Sequence, residues 1–304
     1  MTASQAVDLI YKQLGEMPLG CEKMAYGHQS ITYDVALPTR NVIVRMNDSA
    51  QVFACTQNNI AELRKLGLPV PEMIASDLSI TKFPFAYMIL EKIPGRDLGN
   101  ELAAMTPEQM TRLAEQIVRF QQLVGGLSEG AGYGFAGIGE RAVHESWWEE
   151  VRPAGTSDED VPESSRGLAA KVREQLSKHE EYFKSIPPTC FLDDVTVKNV
   201  IVKDGELKGI VDLDFVCYGD PLYWLALTQV GVVSDVGNDG LFYVKELRRL
   251  WQKDSVQERI LDLYSASMAL YFIRMYANKE TAAWISRMEA ATAGWLGAIE
   301  ADKP

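Results

Sequence analysis

The segment "FLDDVTVKNVIVKDGELKGIVDLDF", residues 191–215, constrains the fold of this chain most strongly. It sets aspartates and an asparagine among short runs of valine, isoleucine and leucine, although strand interiors usually exclude aspartate. Two apolar runs, 199–203 and 207–211, flank Asp204-Gly205, which is a strong local signal for a β-hairpin. The hairpin would bring Asn199 and Asp212 to the same end, with Asp194 in the loop before it.

Oxygen donors that converge at one end of a hairpin suit a hard cation such as Mg²⁺. Asp194 lies five residues before Asn199, a spacing that leaves it free to face an incoming hydroxyl group. Aspartates are also common as turn caps at strand ends, so each of them taken alone fits a cap as well as a ligand. Asp220 is expected to cap the helix after Pro221 or to support the metal loop.

The predicted secondary structure changes near residues 91–95. Before that point, β-branched runs and one helical stretch predict a small antiparallel sheet with a helix, including a hairpin of 31–37 with 41–46. After it, helical periodicity prevails apart from the segment described above. We therefore predict an α+β protein with a small β-rich lobe, 1–91, and a larger, mostly helical lobe, 92–304.

Composition narrows the class of function. A formal net charge of −12 argues against a nucleic-acid partner and permits a cationic ligand. No apolar run is long enough to span a membrane, and the first residues lack the pattern of a signal peptide. The four cysteines, which have no metal-ligand spacing, are typical of reduced thiols, so we expect a cytoplasmic protein. They are Cys21, Cys55, Cys190 and Cys217.

Motifs along the chain resemble those of the aminoglycoside phosphotransferase and choline kinase superfamily of small-molecule kinases. They are "YGHQSITYDV" (26–35), "VIVRM" around Arg45, "GLPVPEMI", "YMILEKIPGRDL", the 191–215 segment and "GDPLYWLA" (219–226). Their order and spacing extend over about 200 residues, and each is weak by itself. The resemblance implies a bilobal, protein-kinase-like fold.

The resemblance also implies roles around the phosphates. Asp194 matches the catalytic aspartate, and Asn199 and Asp212 match the magnesium ligands. Asp214 follows Asp212 by two residues, so strand alternation by itself would direct both side chains the same way, toward a second metal or the substrate, although a solvated loop carboxylate fits equally well. Arg45 occupies the position of the nucleotide-contacting lysine.

Two further segments are implied to bind nucleotide. The main chain of Glu91 and Ile93 would pair with the adenine edge. Gly27 and Ser30 would lend N–H groups to phosphate, although a plain turn between strands explains this single-glycine stretch nearly as well. "ESWWEEV" (145–151) would lie on the acceptor side, either as a packed helix with a wet face or in contact with substrate.

Three departures from the family pattern stand out. Leu192 replaces the histidine that supports the catalytic loop from behind, and Asp193 follows it where glycine or arginine is usual. Arg45 replaces lysine. The helix glutamate that should pair with residue 45 is not evident in "TQNNIAEL", where Gln57, Asn59 or Glu62 would fill the slot.

These features predict a phosphotransferase that moves the γ-phosphate of ATP or GTP, with Mg²⁺, to a hydroxyl of an aminoglycoside-like antibiotic or related small metabolite. The expected partners are the nucleoside triphosphate and a small-molecule acceptor, with neither nucleic acid nor membrane. The departures leave open a catalytically impaired kinase-like protein that binds nucleotide or ligand. An unrelated α+β scaffold with coincident motifs is a third alternative, and the oligomeric state stays open.

Overall fold

The computed structural model describes residues 1–24, 30–152, 161–251 and 253–301. The chain forms two compact units: unit 1 is Met1–Gly95 with Lys208–Phe215, and unit 2 is Arg96–Leu207 with Val216–Pro304. The sequence predicts a boundary after residue 91, with all later residues in the second lobe. In the structure, residues 92–95 and 208–215 lie in unit 1.

Unit 1 is built on a five-stranded antiparallel sheet in the order β1-β2-β3-β5-β4. The predicted β2–β3 hairpin is confirmed, with Ile31 opposite Met46 and Ala36 opposite Asn41. A short 3₁₀ turn, Ala50–Phe53, precedes the second helix. The regular elements are α1 Ala3–Leu14, β1 Gly20–Lys23, β2 Ile31–Ala36, β3 Asn41–Asn47, α2 Thr56–Lys65, β4 Met73–Asp77 and β5 Ala86–Glu91.

Strand alternation gives this sheet two different faces. Val42, Val44 and Met46 of β3 are buried in the main core of unit 1, against α1. Arg45 lies between two of these positions and projects to the opposite face, where Phe53 packs beside β5. One strand thus supplies both the core of unit 1 and a cationic side chain.

Residues 208–215 join unit 1 through close main-chain contacts. The N–H of Ile210 donates to the carbonyl oxygen of Pro69 at 2.8 Å. A Cβ atom on Gly209 would lie 2.2 Å from Cδ1 of Ile93 and 2.9 Å from the Pro69 carbonyl oxygen, so a side chain has no room there. The "GLPVP" segment and the connector after β5 therefore close on the strand that leads to Asp212.

Unit 2 combines short strands with long helices. β11 pairs with β7 on one side and β8 on the other, and β9 pairs with β6. The strands are β6 Arg96–Asp97, β7 Gly134–Ala136, β8 Thr189–Phe191, β9 Val200–Lys203 and β11 Val216–Gly219, and β10 Glu206–Ile210 begins in unit 2 and ends in the 208–215 segment of unit 1. The helices are α3 Leu98–Glu101, α4 Pro107–Gly125, α5 Trp147–Val151, α6 Arg166–Lys178, α7 Glu180–Ser185, α8 Leu222–Asp235, α9 Leu241–Leu250, α10 Ser255–Tyr276 and α11 Ala282–Ala301.

The turn between β9 and β10 has the conformation that its sequence favours. Asp204 and Gly205 both take positive φ, 56° and 73°, as a two-residue hairpin turn of the primed type requires. Asn199 directly precedes β9, and Asp212 follows β10 by two residues. None of the described helices is long and apolar enough to cross a membrane.

A buried carboxylate links several helices of unit 2. Oδ1 of Asp220 accepts the N–H of Leu222, the first residue of α8, at 3.0 Å, and Oδ2 accepts the hydroxyls of Tyr182 and Tyr264, each at 3.0 Å. The indole of Trp147 in turn donates to the Tyr264 hydroxyl at 2.6 Å. Burial raises the pKa of Asp220, and the hydrogen bonds from Leu222, Tyr182 and Tyr264 act against the rise. Asp220 thus binds the start of α8, one of the two roles expected of it.

We expect Gly219→Ala to destabilise unit 2, because the new Cβ would lie 2.1 Å from Cε3 of the Trp147 ring. Trp147 is fully buried and held by its indole bond, so overpacking should lower the free energy of unfolding by about 2 kcal/mol or more. Urea denaturation measures this change. Gly294→Ala on α11 is the control: the position is exposed, and apart from its chain neighbours and the backbone of its own helix no heavy atom lies within 4 Å of the place that a Cβ would take. This change should raise stability by about 0.5–1 kcal/mol.

Candidate functional site

Arg45 forms the electrostatic centre of the site residues in unit 1. Its Nη1 and Nη2 donate to the two carboxylate oxygens of Asp214 at 2.8 and 2.5 Å, and Nε donates to the hydroxyl of Ser30 at 3.3 Å. The two charged side chains are only 11% and 10% exposed. Burial acts to lower the pKa of Arg45, but the charge and hydrogen bonds of Asp214, together with the charge of Asp212, outweigh it, and the pKa is raised. Arg45 therefore stays charged at neutral pH.

Helix α2 supports this ion pair without a glutamate. Thr56 donates its hydroxyl to Oδ1 of Asp214 at 2.6 Å, and Asn59 donates to the carbonyl oxygens of Leu213 and Asp214 at 3.0 and 3.1 Å. Of the residues considered for the glutamate slot, Glu62 pairs with Lys65, and the Gln57 side chain accepts from Ser76. The carboxylate partner of Arg45 is thus Asp214, for which the sequence predicts a role at a second metal or at the substrate.

Asp212 has a strained backbone and an accessible carboxylate. Its φ is 61°, in the left-handed region, and its side chain is 51% exposed. Oδ1 lies 3.4 Å from Nη2 of Arg45. The surrounding low-dielectric protein raises the pKa of Asp212, with Asp214 adding to the rise and Arg45 opposing it. The carboxylate is accessible, and a bound cation would offset the cost that the protein imposes on its negative charge.

Strand alternation does not govern the relation between Asp212 and Asp214, because β10 ends at Ile210. The left-handed residue at 212 turns the chain instead. Both carboxylates still reach the same guanidinium group, that of Arg45. Asp214 is buried, so it is not the solvated loop carboxylate that the sequence left open.

Unit 2 holds Asp194 and Asn199 in one short loop between β8 and β9. Thr196 donates its hydroxyl to Oδ1 of Asp194 at 2.9 Å, which restrains the carboxylate. Nδ2 of Asn199 donates to the Asp194 carbonyl oxygen at 3.0 Å, which closes the loop. A carbonyl oxygen only accepts, so this bond fixes the amide with its NH₂ group toward Asp194. The amide oxygen of Asn199 then faces away as an acceptor suited to a metal ion.

The remaining predicted nucleotide contacts lie in unit 1. The N–H of Glu91 donates to the Glu72 carbonyl oxygen at 2.9 Å, and Ile93 packs against Gly209. Ser30 is buried, with its hydroxyl accepting from Arg45. Gly27 lies outside the described residues. The structure thus brings Ser30, Arg45, Asp212 and Asp214 together in unit 1, and Asp194 with Asn199 in unit 2.

The "ESWWEEV" segment is a packed helix with one polar face. Trp147 is fully buried, and the ring of Trp148 stacks on Phe183 with centroids 5.9 Å apart. Oε2 of Glu150 lies 3.3 Å from Nε2 of His144. Burial raises the pKa of Glu150, and His144 acts against the rise. The two tryptophans therefore belong to the frame of unit 2.

Comparison of the sequence with family models gives one match, to the phosphotransferase enzyme family over residues 27–255. No curated protein matches the sequence. The matched segment includes Ser30, Arg45 and every predicted site residue of the 191–215 segment.

Solved structures share the fold over nearly the whole chain. An apo form of a thermostable aminoglycoside phosphotransferase APH(4)-Ia has a TM-score of 0.74 at 14% identity, covering 98% of this chain and 100% of its own. A ternary complex of that protein with AMP-PNP and hygromycin B has a TM-score of 0.73, also at 14% identity, with coverages of 98% and 100%. A GDP complex of an aminoglycoside 2′-phosphotransferase-IIIa variant has a TM-score of 0.69 at 16% identity, again with coverages of 98% and 100%.

A double-mutant cycle should show strong coupling between Arg45 and Asp214. Asp214→Ala leaves the guanidinium buried beside Phe53 without its two-pronged partner, so we expect a loss of about 3 kcal/mol in the free energy of unfolding. Arg45→Met combined with Asp214→Ala should lose less than the sum of the single changes. Additive losses in urea denaturation would mean that the pair does not interact as described.

Proposed function

Because the chain belongs to the phosphotransferase enzyme family, we propose that it is a kinase transferring the γ-phosphate of ATP or GTP to a hydroxyl of an aminoglycoside-like antibiotic or related small metabolite. The loop of Asp194 and Asn199 carries this proposal. Its internal hydrogen bonds fix a carboxylate and an amide oxygen five residues apart. A general base and a metal ligand need such fixed positions, since phosphoryl transfer depends mainly on positioning and charge neutralisation.

Asp194 is the proposed general base. The acceptor oxygen forms a bond to the γ-phosphorus while the bond from that phosphorus to the β–γ bridging oxygen breaks. The leaving nucleoside diphosphate keeps the electron pair of the broken bond, and Asp194 takes the proton of the acceptor hydroxyl. Thr196, bonded to Oδ1 of Asp194, restrains the carboxylate during this step.

Asn199 and Asp212 are the proposed ligands of Mg²⁺. Both offer oxygen atoms, the amide oxygen that the Asn199 hydrogen bond leaves as acceptor and the accessible carboxylate of Asp212. Magnesium in kinases is held by one or two such side chains, with phosphate oxygens and water supplying the other ligands. When bound, the ion neutralises charge on the transferring phosphate.

Arg45 is the proposed phosphate contact, and Asp214 keeps it in place. Two parallel hydrogen bonds orient the guanidinium plane, and Thr56 holds the carboxylate that accepts them. We assign Asp214 to this task ahead of its predicted role as a metal ligand, because three donors already bind its oxygens. The adenine edge is assigned to the main chain of Glu91 and Ile93, and the phosphate loop to Gly27 and Ser30.

Relatives of the same fold support the choice of donor and acceptor. One was solved with AMP-PNP and hygromycin B and another with GDP, so both adenine and guanine nucleotides occur among them. A protein described as a fructosamine-3-kinase from Thermobifida fusca, with a TM-score of 0.61 at 14% identity, extends the range to metabolites. The net charge of −12 is compatible with a cationic acceptor.

We expect Asp194→Asn to lower kcat by about 10²–10⁴-fold while the Kd for Mg·ATP or Mg·GTP stays unchanged. The substitution keeps the size of the side chain but removes the base. Release of ADP or GDP, measured over a panel of hydroxylated amines and antibiotics, gives the rate, and calorimetry gives the affinity. Asp193→Asn is the matched control and should keep the rate.

Equal loss of rate and affinity in Asp194→Asn would contradict the assignment of the base. Magnesium-dependent nucleotide binding by the wild type without turnover of any acceptor would favour the kinase-like binding protein.

The magnesium dependence of turnover separates Asp212 from Asp214. Asp212→Asn weakens a metal ligand, so we expect the magnesium concentration at half-maximal rate to rise about tenfold or more. Asp214→Asn loosens Arg45, so it should raise the KM for nucleotide while the magnesium midpoint stays near that of the wild type. If the magnesium concentration at half-maximal rate rose more in Asp214→Asn than in Asp212→Asn, the result would indicate that Asp214 is the metal ligand.

A further inference from the structure

Leu192, two residues before Asp194, lies in the position where the resembled family has a loop-supporting histidine. Its apolar side chain is buried and offers no hydrogen bond. Its main chain, however, is held on both sides by the side chain of Gln121 from α4. The N–H of Leu192 donates to Oε1 at 3.0 Å, and Nε2 donates to the Leu192 carbonyl oxygen at 2.7 Å.

This pair of hydrogen bonds uses both the acceptor and the donor of the Gln121 side-chain amide. One planar group provides an acceptor and a donor side by side, which is what a neighbouring strand offers to a peptide unit. Gln121 is itself almost fully buried, so water does not compete for these groups. A buried peptide group must find a partner, and residue 192 lies just beyond the end of β8 at Phe191, where regular pairing stops.

Helix α4 is fixed relative to β8, so Gln121 is anchored on a rigid element. Gly125, one turn further along α4, approaches the strand so closely that a Cβ there would touch Thr189 at 3.6 Å. After the helix, the N–H of Gly130 donates to the Pro188 carbonyl oxygen at 2.9 Å. These contacts hold α4 in register with the start of β8.

The rest of the loop is held from two other helices. Thr228 of α8 donates its hydroxyl to the Val195 carbonyl oxygen at 3.2 Å. The N–H of Gly99 in α3 donates to the Val197 carbonyl oxygen at 2.9 Å. Both contacts lie on the C-terminal side of Asp194. Gln121 holds the chain on the N-terminal side.

We propose that Gln121 is a positioning residue that sets the location of Asp194 by clamping the peptide groups of Leu192. It performs from a separate helix the support that a side chain at position 192 does not give. This inference rests on the proposed function, in which Asp194 is the base. It assigns Gln121 no contact with substrate, nucleotide or metal.

Gln121→Met tests the clamp, since methionine keeps the length and packing of glutamine and removes both hydrogen bonds. We expect kcat to fall about 10- to 100-fold, because small displacements of a catalytic group are costly. The KM for nucleotide should change by less than about twofold, because Arg45 and its partners are untouched. Amide hydrogen exchange in residues 191–199 should accelerate, as measured by mass spectrometry.

Gln229→Met is the matched control. Gln229 is equally buried in unit 2 and makes two side-chain bonds, from Nε2 to Ser265 and from Arg248 to its Oε1. It should lose a similar amount of stability, with kcat and exchange of residues 191–199 close to those of the wild type. Should Gln121→Met not fold, Gln121→Asn gives the same comparison, because its amide is one methylene too short to reach Leu192.

A Gln121 variant with wild-type kcat and wild-type exchange would overturn the inference, and so would equal losses in the Gln121 and Gln229 variants. A wild-type protein without turnover on any acceptor would count against the proposed function alone. In that case, the exchange rates of residues 191–199 still decide whether Gln121 fixes the loop.

Discussion

A guanidinium group that is buried away from water requires a charged partner. The path of the chain through unit 1 follows from the segment that supplies this partner to Arg45. Its strand lies in unit 1, near the start of the chain, whereas its partner Asp214 comes 169 residues later. Residues 208–215 accordingly return to unit 1, where Ile210 binds Pro69 and Thr56 holds the Asp214 carboxylate. The same return places Asp212, with its exposed carboxylate, next to the Arg45 charge.

The loop of unit 2 shows a second constraint, the demand of buried peptide groups for partners. Side chains, more than strands, meet that demand between β8 and β9: Gln121 binds Leu192, Thr228 binds Val195, and Asn199 binds Asp194. An irregular backbone is thereby as fixed as a regular one. Fixed irregular backbone can present a carboxylate and an amide oxygen at positions that a helix or a strand would not provide.

Local features of the sequence predicted the structure well. The Asp204-Gly205 turn needs only its own two residues to take positive φ, and the β-branched runs of 31–37 and 41–46 pair as the hairpin of β2 and β3. Contacts between distant segments left no such signal: Thr56 and Asp214 are 158 residues apart, and Gln121 and Leu192 are 71 apart. Strand alternation predicted a shared direction for Asp212 and Asp214 but not its cause, because the left-handed backbone of Asp212 interrupts the extended chain before Asp214. The candidate residues were therefore found by type and spacing, while their bonding partners were not.

The division of the chain also governs the order in which the molecule forms during synthesis. Residues 1–95 of unit 1 are made first, but its last segment is complete only at Phe215. At about 5–20 residues per second, the ribosome adds the intervening residues in about 6–24 seconds. During that interval the nascent sheet carries Arg45 without its carboxylate, so unit 1 is complete only after residues 96–207 of unit 2 have been synthesised.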